Sequence, residues 1–257
     1  MLIKFSKNIL QLVIDFYFYL VGPSLNTEGA KKPIQIVAHR GWHNNENLIE
    51  NTLQSFQTAL DHKLYGVEFD IRWTKDLIPI VHHDESLNRL WGIDRDIADL
   101  DFLELREKAP MIPSLQEVIE RFGKKLHLFI EIKAEVFPDL SKQKIILAKT
   151  LSSLKAYTDF HLLTLDIDMV KEFNNFDTKL FLLVSELEVM RMIHFVEKYE
   201  LGGITGHFVL IGDELVKEQQ FKQRLVGTGF LRTKSALNRE RNKGVDFHFT
   251  NHPWNLI

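Results

Sequence analysis

Cysteine is absent from this chain, which excludes disulfides, zinc held by thiolates and a thiol nucleophile. A strong charge of one sign is also missing. The 32 basic residues face 35 acidic ones for a net charge of -3, so no global basic field exists to recruit nucleic acid. No nucleic-acid partner is expected, and any affinity for an anion must come from a local cluster. Linkers, low-complexity tracts and internal repeats are lacking as well. Long apolar runs are scarce: the stretch from Ile9 to Val21 is broken by Gln11 and Asp15, short of the ~18–20 unbroken residues of a membrane span. No small-x-small cleavage site follows it.

The first residues nonetheless stand apart. Lys4, Asn8, Gln11 and Asp15 recur at helical spacing, a narrow polar stripe on an otherwise apolar segment. Residues 1–30 therefore read as an apolar N-terminal helix, and residues 31–257 as one domain. Three roles are open to this helix. It can pack on the domain, where a chain that stops at Ile257 leaves no helix after the last strand. It can make peripheral membrane contact through residues 1–25, or act as a signal or anchor. The expected location is cytoplasmic or peripheral to a membrane, with secretion left open.

From Gln35 to Asn251 short apolar segments alternate with amphipathic ones, the pattern of a parallel sheet with crossover helices. Strands are expected at 34–38, 66–71, 126–132, 160–165, 178–184, 202–205, 225–231 and 245–250. Helices are expected at 52–61, 114–122, 142–154, 168–173, 187–199, 213–222 and 235–242. Ser114 with Glu117 three residues on is a capping box. A chain of 257 residues with this alternation suits a TIM (β/α)8 barrel. Residues 78–83 form a further apolar segment, too close to the preceding strand for a parallel crossover. They read as a short rim hairpin.

The chemistry-bearing residues gather in the first half. Glu68 and Asp70 are two apart on a strand and so share a face. Inward-facing, they would repel one another unless a cation neutralised them. Glu131 and Lys133 repeat that spacing within Leu-Phe-Ile-Glu-Ile-Lys, where an unpaired charge costs several kcal/mol to bury. Glu68, Asp70 and Glu131 are the expected metal ligands. An all-oxygen set points to one divalent cation, Mg2+ or Ca2+. Arg40 offers a planar donor fork suited to phosphate, and Lys133 a second cation. His39 ends the first strand and His83 the rim hairpin. Two imidazoles could divide proton removal and proton donation between them. Carboxylates, cations and imidazoles together suit hydrolysis of a phosphodiester.

His39-Arg40-Gly41, Glu50-Asn51-Thr52, Glu68-x-Asp70-x-x-x-Thr74-Lys75-Asp76, His83-Asp84-x-x-Leu87-x-Arg89, Ile112-Pro113-x-Leu115-x-Glu117 and Ile130-Glu131-Ile132-Lys133 resemble the glycerophosphodiester phosphodiesterase family. The likeness is strong over residues 35–135 and weaker at Gly244-Val245-Asp246 and Thr250-x-x-Pro253. It implies a TIM barrel and metal-dependent hydrolysis of glycerophosphodiesters to glycerol 3-phosphate and an alcohol. It implies His39 and His83 as the acid/base pair, and Glu68, Asp70 and Glu131 as metal ligands. Arg40, Lys133, Glu50 and Asn51 would line the phosphate or metal surroundings.

The chain departs from the family pattern at four places. Ile49 stands for the proline before Glu-Asn-Thr, and Leu77 for a turn glycine. Gly229-Phe230-Leu231-Arg232 replaces Trp-Thr-Val-Asn, and Asn251 replaces an aspartate. Arg232 is expected to project into the site and favour extra negative charge on the substrate, or else to meet a surface carboxylate. Residues 84–112 look like a trimmed cover over the site. That cover and the apolar N-terminus make a lysophospholipid the second candidate substrate, with a non-catalytic phosphate-ligand binder the reading from another class.

Overall fold

The computed structural model describes residues 33–257; the N-terminal helix expected over residues 1–30 lies outside them. Nine strands form one sheet: β1 (Ile36–His39), β2 (Gly66–Trp73), β3 (Pro79–Val81), β4 (His127–Ile132), β5 (Phe160–Thr164), β6 (Phe181–Ser185), β7 (Gly203–His207), β8 (Leu225–Gly229) and β9 (Phe247–Thr250). The order is β1-β9-β8-β7-β6-β5-β4-β2-β3, and β1 also pairs with β2. Every pairing is parallel except β2 with β3. Eight strands thus close into a barrel, and β3 hangs on β2 as the rim hairpin.

Helices cover the outside: α1 (Leu53–Asp61), α4 (Leu115–Phe122), α5 (Leu140–Leu151), α6 (Ile167–Glu172), α7 (Val189–Lys198), α8 (Asp213–Phe221) and α9 (Lys234–Lys243). Ser114 and Glu117 form their capping box, and Thr52 with Ser55 makes another at the start of α1. Two short helices, α2 (Asn88–Trp91) and α3 (Phe102–Lys108), fall in the stretch expected to be merely trimmed. They have a small core of their own from Ile80, Leu87, Ile97, Leu100, Leu105 and Ile112.

Alternation along the strands sorts the side chains. On β2, Val67, Phe69 and Ile71 join the core under the helices, so Glu68 and Asp70 face the barrel interior. Val37, Phe129, Leu163, Leu182, Phe247 and Phe249 fill the interior below them. The acids therefore lie near the C-terminal mouth, on an apolar floor.

Candidate active site

The end of β1 delivers the first two groups. Arg40 adopts a left-handed backbone (φ 58) and Gly41 another (φ 81), which turns the chain sharply across the mouth. Gly41 is needed twice over: a Cβ there would lie 2.4 Å from Ser55 Oγ and 2.7 Å from a Phe56 ring carbon. His39 Nδ1 is 2.5 Å from Asn251 Oδ1. The amide oxygen can only accept, so Nδ1 carries the hydrogen and Nε2 is left for the site, 3.6 Å from Glu68 Oε2.

Glu68, Asp70 and Glu131 bring an oxygen each to within 4.8 Å of one another, and all three are buried. The register puts Asp70 directly opposite Glu131 on the neighbouring strand. Burial pushes Glu68 well above the usual carboxylate range, with repulsion from Asp70 and Glu131 adding to it. Glu131 rises to about 7 through burial and Asp70, against the pull of Lys133. For Asp70, Lys133 and Arg40 outweigh burial and hold it below its ordinary value. Lys133 Nζ lies 2.6 Å from Glu131 Oε1 and 3.0 Å from Asp70 Oδ1, and Arg40 Nε lies 3.6 Å from Asp70 Oδ2. Asn51 donates to Asp70 Oδ2 at 3.0 Å. Asp70 Oδ1 is buried and accepts no well-directed hydrogen bond. The donor set fits a hard divalent cation: oxygen only, with three carboxylates against the two cations Arg40 and Lys133.

A chain of charges steadies the second imidazole. His83 Nδ1 donates to Asp84 Oδ1 at 2.7 Å, and the other Asp84 oxygen takes Arg89 Nε. Arg89 reaches Glu50 Oε1 at 2.6 Å, which Arg40 meets at 2.9 Å. Glu50 is thus a brace between two guanidiniums and stands outside the acid cluster. His82 takes no part in the cavity: its Nδ1 donates to the Asp84 carbonyl and its Nε2 accepts from Trp91. Burial lowers both His39, to about 4, and His83 from the ordinary imidazole value, with Asp70 pulling each back upward.

These groups line one side of a cavity of about 500 Å³. Leu163, Leu165, Val184, Phe230 and Phe249 line the other. Arg232, expected in the site, is not among the lining residues; Gly229 and Phe230 represent that strand end instead. Phe230 takes a left-handed backbone (φ 66) just beyond the end of β8. Two residues escaped the sequence reading of the site. His43 lines the cavity with both ring nitrogens buried and no hydrogen-bond partner, and no motif or period marks it. Asn251 stood out only as a departure from the family pattern, in the place of an aspartate.

A barrel whose C-terminal mouth joins clustered acids, fixed cations and two oriented imidazoles offers the set of groups suited to phosphate-ester chemistry. A sequence model of the glycerophosphoryl diester phosphodiesterase family matches residues 39–251, and the chain belongs to that family. It is 34% identical over 132 residues to a glycerophosphodiester phosphodiesterase of Bacillus subtilis, covering 44% of each chain. A lysophospholipase D of Mus musculus is 36% identical over 73 residues, 28% of this chain and 22% of that one. The chain thus spans less than half the length of either relative. Among solved structures, a glycerophosphodiester phosphodiesterase of Thermotoga maritima superposes with a TM-score of 0.70 at 23% identity, over 86% of this chain and 96% of that one. A phosphodiesterase of Oleispira antarctica, in complex with the product sn-glycerol-3-phosphate, gives 0.69 at 19% identity over 86% and 94%. These superpositions establish the shared fold.

Proposed function

We propose that the protein hydrolyses glycerophosphodiesters to glycerol 3-phosphate and an alcohol in a metal-dependent reaction. The observation that carries this reading is the meeting of Glu68, Asp70 and Glu131 within 4.8 Å beside Arg40 and Lys133, with His39 and His83 on the same cavity wall. The three acids would hold one divalent cation, Mg2+ or Ca2+, which when bound neutralises phosphate charge and acidifies a nucleophile. Arg40 and Lys133 grip and orient the phosphate oxygens. One imidazole takes the proton of the nucleophile attacking phosphorus. The other, as imidazolium, gives its proton to the alkoxide as the phosphorus–oxygen bond breaks. Asn251 and Asp84 tie down the two Nδ1 atoms, which leaves each Nε2 to carry the proton. Asp84 and Arg89 keep His83 turned in this way, and Glu50 keeps Arg40 in place.

The test is release of glycerol 3-phosphate from glycerophosphocholine, first with EDTA and then with Mg2+ or Ca2+ restored. Loss on chelation and recovery on addition is the expected result. Activity indifferent to chelation would overturn the ligand assignment, and no release under any condition would overturn the reaction.

A further inference from the structure

Strand alternation sets Arg72 on the same face of β2 as Glu68 and Asp70, one step nearer the rim. It is buried, with 7% of its surface exposed, yet it does not line the cavity. A buried guanidinium is costly unless its donors are met, and two partners meet this one. Arg72 Nε donates to the His83 carbonyl at 2.9 Å, and Nη1 donates to Glu135 Oε2 at 2.8 Å. The side chain of Glu135 is 15% exposed, whereas Glu85, 3.8 Å from Nη1, is 76% exposed. Glu135 therefore anchors the guanidinium, and Glu85 adds little through solvent. One planar fork ties the backbone of the rim segment to the loop that follows Glu131 and Lys133.

We propose that Arg72 is a positioning residue for His83, acting through the His83–Asp84 peptide. The proposal rests on the phosphodiesterase reading, in which His83 moves a proton. The His83 carbonyl and the Asp84 amide share one rigid plane. Fixing the carbonyl therefore fixes where the Asp84 side chain begins, and Asp84 Oδ1 is the group that holds His83 Nδ1 at 2.7 Å. Arg89 and Glu50 steady the carboxylate end of Asp84, and Arg72 with Glu135 steadies its backbone end. Without the second support the peptide turns, the Asp84 bond to Nδ1 is lost and Nε2 swings away from the reacting atoms. A misplacement of about 1 Å is enough to cost about a hundredfold in rate.

The pair Arg72→Met/Glu135→Gln tests this, because it removes both charges together and leaves neither buried alone. On glycerophosphocholine kcat should fall about tenfold to a hundredfold with KM unchanged, since neither residue lines the cavity. Arg72→Lys keeps a cation beside Glu135 but lacks the fork that also reaches the carbonyl, so kcat should fall there too at an unchanged unfolding midpoint. Introduced beside His83→Ala, the pair should cost less than about twofold more, because Arg72 acts only through that ring. A merely structural role would lower the rate by the same factor in both backgrounds, and that result overturns the proposal. So does an unchanged kcat in either variant. A crystal structure of the pair variant gives a readout that needs no activity. A turned His83–Asp84 peptide, with Asp84 Oδ1 out of hydrogen-bond reach of Nδ1, is expected, and a peptide left as in the parent overturns the proposal. A parent chain that hydrolyses no glycerophosphocholine counts against the reaction alone.

Discussion

The barrel floor carries two buried histidines whose protonation should limit stability in mild acid. His127 Nδ1 donates to the Thr158 carbonyl at 3.0 Å, which leaves its Nε2 to accept from His161 Nδ1 at 2.8 Å. Both rings are neutral in this arrangement, and a proton added to His127 would set two donors against each other. Burial holds His127 at about 4 and His161 at about 3, against 6.5 in the open chain. Above pH 6.5 both rings are neutral folded or unfolded, and the pair adds no pH dependence. Below it the unfolded chain binds protons that the folded chain refuses, so stability falls as the pH drops from 6.5 through about 4 and levels off only beneath about 3. Holding His127 at about 4 against 6.5 corresponds to about 3 kcal/mol for that ring alone. Replacing both rings, as His127→Leu/His161→Phe, removes the proton uptake; the Thr158 carbonyl loses its donor, but Thr158 is exposed and water can take that place. Urea unfolding followed between pH 7.5 and 4.5 should show the double variant losing at least about 2 kcal/mol less than the parent over that range. Parallel stability curves for the two proteins would refute the reasoning.

Other consequences follow from single groups. Gly41→Ala adds a Cβ 2.4 Å from Ser55 Oγ at a φ of +81, and should cost about 3 kcal/mol or more in urea unfolding. His83→Ala should lower kcat on glycerophosphocholine by about 10²–10⁴-fold, with the unfolding midpoint nearly unchanged because the ring is partly exposed. Arg40→Lys keeps the charge but loses the fork that meets Glu50 at 2.9 Å, and kcat/KM should fall about tenfold to a hundredfold.

The barrel was legible because strands buried on both faces read as short apolar runs. Each of the eight expected runs overlaps an observed strand. Boundaries moved where local turns intervened: Thr178–Leu180 form a 3-10 turn, and β6 begins at Phe181. Helices α2 and α3 were missed because each is short, and their order comes from the small core around Leu87 and Leu100, which no local period announces. Within strands, period-two alternation put Glu68, Asp70 and Glu131 on one inward face. Beyond strand ends that alternation gives no guide, and Arg232, placed by its spacing from Gly244, does not line the cavity. His43 and Asn251 sit in loops, where only the closed barrel decides that they meet the cavity and His39. Leu77 shows the cost of a departure, holding the left-handed backbone (φ 62) of a turn at which the family carries glycine.

The account turns on a cation held by three carboxylates, and a crystal grown with Mn2+ addresses this most directly. An anomalous peak bonded to oxygens of Glu68, Asp70 and Glu131 is the predicted result. A peak bound by other residues, or none at this cluster with the metal in excess, would contradict it.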